Sequence, residues 1–188
     1  MSGVLDVVVV NGSPNERSRT AALADLIAGR LGELVPAGVR RVDVYRLGPG
    51  FTGASSREDV PPDVEAELRS VEGADVVIAA TPVFRGSYSG MFKHFFDLVD
   101  QYALANTLVI LAATGGSDRH ALVLEHALRP LFGFFQADVA PVGFYVSAGS
   151  FDGTTVLDAE VYSRIEVGLG DVLPRLRSLS RDRGPGAA

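Results

Sequence analysis

The 188-residue chain has no cysteine and no tryptophan. It carries no run of five or more basic residues, and nowhere strings together the ~18 apolar residues that a membrane-spanning helix needs. Each absence excludes a class. Without cysteine there is no disulfide, thiolate nucleophile, iron–sulfur ligand or Cys-rich zinc site, so any redox chemistry must belong to an organic cofactor. Seventeen Lys and Arg against 23 Asp and Glu leave a net charge of −6, and a phosphate-tracking basic footprint is missing, which argues against nucleic acid as a partner. The opening MSGVLDVVVVNGSP is too short an apolar run for a signal peptide and lacks a basic leader, so the expectation is a soluble, cytoplasmic protein with no membrane partner. His94, His120 and His126 lie on different elements or six residues apart without a carboxylate cluster, which argues against a metal site. No Gly-x-Ser-x-Gly elbow points to hydrolysis.

What is present is ordinary globular material, 47% hydrophobic and 21% charged. The length fits one domain, expected over residues 1–177, with a flexible tail over 178–188 whose Arg-Asp-Arg-Gly-Pro-Gly reads as frayed. Val4 to Val10 is a short valine-rich run, apolar apart from Asp6, of the kind that suits a strand buried on both faces. Leu23, Ile27, Leu31 and Leu34 then recur at helical spacing through Thr20 to Leu34. Weaker or stronger versions of this alternation follow: strands at Arg40–Arg46, Ala74–Ala80, Leu108–Ala113 and Val142–Val146, and helices near Val64–Val71, Ser89–Asp100, Ala121–Phe135 and Asp158–Arg177. Five alternations predict an α/β fold, a doubly wound five-stranded parallel sheet of order 2-1-3-4-5 with helices on both faces. Ligands of such sheets bind beyond the carboxyl ends of the strands, where the winding reverses between strands one and three.

The loops due to converge there hold the most unusual sequences of the chain. In the first, Ser13, Ser18, Arg19 and Thr20 combine small hydroxyls, a helix start and a guanidinium, the set that holds a terminal phosphate. A Ser-rich helix cap beside a surface arginine would carry the same residues. The loop is neither a Walker A nor a dinucleotide fingerprint. In the second, Pro82 fixes the exit path from the sheet, Gly86 and Gly90 permit close backbone approach, and Phe84 or Tyr88 could line a flat ring or simply pack. In the third, Gly115 and Gly116 expose N–H groups ahead of a helix whose natural cap is Ser117.

The motifs NGSP followed by SRT, ATPVFRGSYSGMFKHFFDLV, and LAATGGSDRHALVLEHALRPLF resemble the flavodoxin-like NAD(P)H-dependent FMN reductases. Within that family the likeness is to the reductase components of two-component alkanesulfonate and methanesulfonate monooxygenase systems, and it spans about Val4 to Val146. The resemblance implies FMN and NADPH or NADH as cofactors, hydride passing from the nicotinamide to flavin N5, and reduced FMN supplied to a transient partner monooxygenase. Carried onto this sequence, it makes Ser13, Ser18, Arg19 and Thr20 the phosphate clamp, with Asn15 near it. Pro82, Val83, Phe84, Arg85, Gly86 and Ser87 become the loop under the ribityl chain and ring, and Thr114, Gly115, Gly116 and Ser117 the donors to the ring's polar edge. Related reductases often have lysine where Arg85 stands. Arg85 and Arg119 are candidates for a 2′-phosphate and equally for solvated surface arginines. No catalytic acid or base is asked of the protein, because the cofactors carry the chemistry. The alternatives are a quinone, azo or metal-ion reductase with bound FMN, or a flavodoxin-like electron carrier; the absence of tryptophan favours an open flavin face over an enclosed one.

Pro130, lacking an N–H, cannot bond the carbonyl of His126, so the helix expected over Ala121–Phe135 must kink or open into a π-bulge there. Leu122 falls on its outer face among Glu125, His126 and Arg129. In the related reductases an inserted Tyr or His in this helix makes a π-helix at a tetramer interface, so the resemblance implies a homo-oligomer, in particular a homotetramer, with His126 near the contact.

Overall fold

Four valines, Val7 to Val10, lie fully buried in the first strand, β1 (Leu5–Asn11), and set it at the centre of the sheet. The computed structural model describes residues 3–183. After β1 come α1 (Arg19–Leu34), β2 (Ala37–Asp43), a short helix α2 (Pro49–Thr52), α3 (Pro62–Glu72), β3 (Val76–Pro82), α4 (Gly90–Leu98) and β4 (Leu108–Gly115). A π-helical stretch, Leu124–Leu128, leads into α5 (Arg129–Phe134), then β5 (Asp138–Val139), β6 (Phe144–Ser147), a small hairpin of β7 (Phe151–Asp152) and β8 (Thr155–Val156), and α6 (Ala159–Asp182). The order is β2-β1-β3-β4-β5, all parallel, with β6 also on β4. This is the 2-1-3-4-5 winding of flavodoxin-like sheets, as expected. One core lies under α1 and α6, the other under α3, α4 and α5.

The fifth strand differs from the expected Val142–Val146. It comes in two pieces, Asp138–Val139 against Leu108–Val109 and Phe144–Ser147 against Ala112–Gly115. Pro141, between them, has no N–H for the ladder, and the Arg129 guanidinium takes the free carbonyls of Ala140 and Pro141 at 3.2 and 3.1 Å. The second strand runs three residues earlier than expected, and Val44–Arg46 is a 3-10 turn. As an edge strand exposing Arg40 and Arg41 it has no clean alternation to read.

The tail expected from Ser178 also needs correcting. Helix α6 continues to Asp182 because Ser180 is buried against the start of the chain. Its hydroxyl donates to the Gly3 carbonyl and its own carbonyl accepts from the Gly3 amide, both at 2.7 Å. Arg183 adds an ion pair with Asp75 at 2.8 Å. The remainder of that segment, 184–188, lies outside the described residues.

Helix 121–135 is likewise not continuous. A 3-10 turn, Asp118–His120, precedes the π-helix, in which the Arg129 amide reaches back to the Leu124 carbonyl. The ladder opens just ahead of Pro130, for the reason its missing donor dictates.

Candidate functional site

The first loop leaves β1 between buried and half-buried braces. Asn11 is fully buried; its Nδ2 donates to Asp43 at 2.7 Å, and its Oδ1 accepts the Ser13 amide at 3.2 Å. The Gly12 amide bonds the Ala80 carbonyl, while the Gly12 carbonyl accepts from the Ser89 hydroxyl at 2.7 Å. A Cβ at Gly12 would come within 2.9 Å of Phe92, so only glycine fits this crossing. Ser18 caps α1 by accepting the Ala21 amide at 3.0 Å, which leaves its own proton to donate. Thr20 and Thr114, both buried, share a hydrogen bond at 2.7 Å that ties the helix start to the end of β4. The first turn of α1 contains no acidic side chain, and the amides of Arg19 and Thr20 stand before the first donor of the helical ladder. Positive dipole and unused N–H groups together make this end an anion site.

The second loop starts where β3 ends at Pro82, with the Val83 amide on the Thr114 carbonyl at 2.7 Å. Phe84 and Ser87 then exchange backbone hydrogen bonds at 2.9 and 3.2 Å around Arg85 (φ 53°) and Gly86 (φ 85°). Two consecutive left-handed residues make a type I′ turn, usually Asn-Gly. An arginine in that conformation costs about 1–2 kcal/mol. Ser89 closes the loop, its amide on the Thr81 hydroxyl at 3.0 Å and its hydroxyl capping α4.

In the third loop Gly115 packs so closely that a Cβ would run into the Tyr145 hydroxyl, which itself donates to the Ser117 carbonyl at 2.5 Å. Burial, with Asp118 nearby, pushes the Tyr145 phenol above its ordinary pKa, so it stays a donor. Ser117 heads the 3-10 turn, but its side chain makes no capping bond, contrary to the expected role.

Ser13, Asn15, Ser18, Arg19, Thr20, Pro82, Phe84 and Thr114 line one cleft of about 450 Å³. Gly86 and Ser87 instead line a neighbouring cleft of about 290 Å³ with Arg119, His120 and His126. Val83, Arg85, Gly115, Gly116 and Ser117 line neither. Sequence reasoning missed Pro14 and Arg17, and above all Gly153 and Thr154, which come from the β7–β8 hairpin. Gly153, first of the two residues between Phe151–Asp152 and Thr155–Val156 and at φ 57°, is the turn glycine that could have found it. Among the described residues no group of three or more His, Cys, Asp or Glu could hold a metal ion. No described helix is long and apolar enough to cross a membrane.

Comparison with known proteins identifies the sequence pattern. Residues 5–152 match the family model described as NADPH-dependent FMN reductase. An FMN reductase (NADPH) of Pseudomonas aeruginosa is 41% identical over 167 residues, 89% of this chain and 90% of that protein. The NADH-dependent FMN reductase SfnE of Pseudomonas putida is 42% identical over 174 residues, 93% of this chain and 94% of its own length. The crystal structure of an oxidoreductase from Corynebacterium diphtheriae superposes with a TM-score of 0.79 at 32% identity, covering 95% of this chain and 98% of that one.

Proposed function

This chain belongs to the NADPH-dependent FMN reductase family, and from that premise we propose that it supplies reduced FMN to a separate monooxygenase. The activity itself is that of an NAD(P)H-dependent FMN oxidoreductase, as the sequence motifs led one to expect. The observation that carries the site is the convergence of the first loop, Pro82, Phe84 and Thr114 on one cleft at the β1–β3 reversal. Its volume falls within the ~300–1,000 Å³ usual for cofactor clefts.

The fit to FMN rests on the donor set. The unused amides of α1, the Ser13 and Ser18 hydroxyls and the Arg19 guanidinium suit a phosphate, and no carboxylate lines this cleft. Phe84, 42% exposed at its rim, offers an apolar face to a flavin ring. These residues would hold FMN, which when bound would supply the hydride-accepting ring for a nicotinamide, so the protein need only hold and align the two rings. Asn15, Val83, Arg85, Gly86, Ser87 and the Gly115–Ser117 backbone stay candidates for ribityl and ring contacts. Steady-state oxidation of NADPH and NADH against added FMN tests the reading: a rate that rises and saturates with free FMN is expected of a reductase that releases its flavin.

We also assign a homotetramer to this chain, supported by the groove of about 690 Å³ between α4 and α5, where Phe96, Leu131, Phe134 and Phe135 meet Lys93, Asp97 and Gln101. Phe134 in the groove is 63% exposed, and Leu122, outside it on the helix that carries His126, is 62% exposed. A second copy of this chain is the occupant proposed. Sedimentation should give a multimer that Phe134→Asp reduces to smaller species; a monomeric native protein would contradict the assignment.

A further inference from the structure

The cleft has a wall that the three loops do not account for. Gly153 and Thr154, at the tip of the β7–β8 hairpin, line it opposite the start of α1. The hairpin is anchored on both sides. Val156 is buried, and Phe151 packs against the core under α1 and α6. The Leu157 amide bonds the Ser150 carbonyl at 2.9 Å, the Ser150 hydroxyl bonds Asp158 at 3.0 Å, and the Tyr162 hydroxyl donates to the Val156 carbonyl at 3.0 Å. From this fixed support the hairpin grips one side chain of the first loop. Arg19 Nε donates to the Gly153 carbonyl at 3.3 Å, and the guanidinium lies 5.9 Å from the centre of the Phe151 ring, within cation–π range.

The chemistry of that grip is selective. Guanidinium is a planar fork of five donors. Spending Nε on a backbone carbonyl beside an aromatic ring restrains the guanidinium while leaving both terminal nitrogens free, the pair that binds a phosphate in bidentate fashion. An unrestrained arginine would lose its rotamer freedom when it met the anion; these two contacts restrain this one beforehand.

We propose that the β7–β8 hairpin is the fourth wall of the phosphate site and that Phe151 is a positioning residue, orienting Arg19 for the FMN phosphate. The inference rests on the reading that the first loop holds that phosphate, and its test separates the two. FMN and riboflavin, which differ by the phosphate, are titrated by flavin fluorescence into native protein and into Arg19→Ala, Phe151→Leu, Phe151→Tyr and the Arg19→Ala/Phe151→Leu double variant. Arg19→Ala should weaken FMN ~10-fold to 150-fold and riboflavin hardly at all. Phe151→Leu keeps an apolar filler but removes the ring, and should weaken FMN about twofold to fivefold with riboflavin unchanged. Phe151→Tyr should restore native binding, and the double variant should bind FMN no more weakly than Arg19→Ala alone. If Arg19→Ala discriminates against FMN but Phe151→Leu does not, the positioning role is overturned while the phosphate site stands. If Arg19→Ala weakens both flavins equally, the phosphate reading falls and the inference with it.

Discussion

At the scale of single residues, the site depends on buried polar groups that satisfy one another. The Thr20–Thr114 hydroxyl pair, at 2.7 Å, joins the start of α1 to the end of β4 at the floor of the cleft, where both residues are buried. Removing one partner strands the other, which costs ~1–3 kcal/mol, whereas replacing both by groups of the same shape is nearly neutral. Thr114→Val should therefore lower the unfolding free energy in urea by about that much, and Thr20→Val/Thr114→Val should recover most of the loss. A double variant as unstable as the sum of its singles would contradict the account. The hydroxyl cluster itself was legible in the sequence, since Ser13, Ser18, Arg19 and Thr20 stand together before a helical periodicity. What orients it was not. Asn11 is held by Asp43, 32 residues away, and Arg19 by Gly153, 134 residues away. Such pairings follow from sheet register and from a hairpin packed across the cleft, neither of which local spacing encodes.

At the scale of elements, the segment 48–63, to which sequence motifs assigned no role, is fastened to α3 by ions. Arg57 bonds Glu65 at 2.9 Å and also pairs with Glu72, while Arg69 bonds Glu65 at 2.7 Å. Hydrogen bonds from Arg57 first, then Arg69, lower the Glu65 pKa from 4.5 to about 2. A carboxylate so depressed stabilises the folded state above its ordinary pKa, and that stabilisation is lost as the pH falls from there toward about 2. Arg57→Ala should move the acid-induced loosening of 48–72 to higher pH, read as faster amide exchange in that segment. An unchanged acid profile would mean the ion cluster does not fasten it. The π-helix shows the opposite balance between sequence and structure. Its location was legible because Pro130 removes a specific donor, whereas the division of the fifth strand was not, although Pro141 acts by the same chemistry. The difference lies in context: helical periodicity surrounded Pro130 and exposed the break, while the short apolar run Val142–Val146 offered no pattern for Pro141 to interrupt.

At the scale of the whole molecule, function follows from winding. The reversal between β1 and β3 brings the first loop, Pro82 and Phe84 of the second and Thr114 at the end of β4 to one cleft, which the β7–β8 hairpin borders through Gly153 and Thr154. Alternating strand and helix signals were enough to predict the sheet order and with it the reversal between β1 and β3. The central claim is that this cleft reduces FMN with a nicotinamide cofactor and lets the product go. The most direct measurement mixes the protein without oxygen with a large molar excess of FMN and NADPH, repeats the mixture with NADH, and follows the oxidised flavin's visible absorbance. The account predicts that many equivalents of FMN are reduced per chain with at least one of the two nicotinamides. Reduction that stops at one equivalent per chain, or does not occur with either, would contradict it.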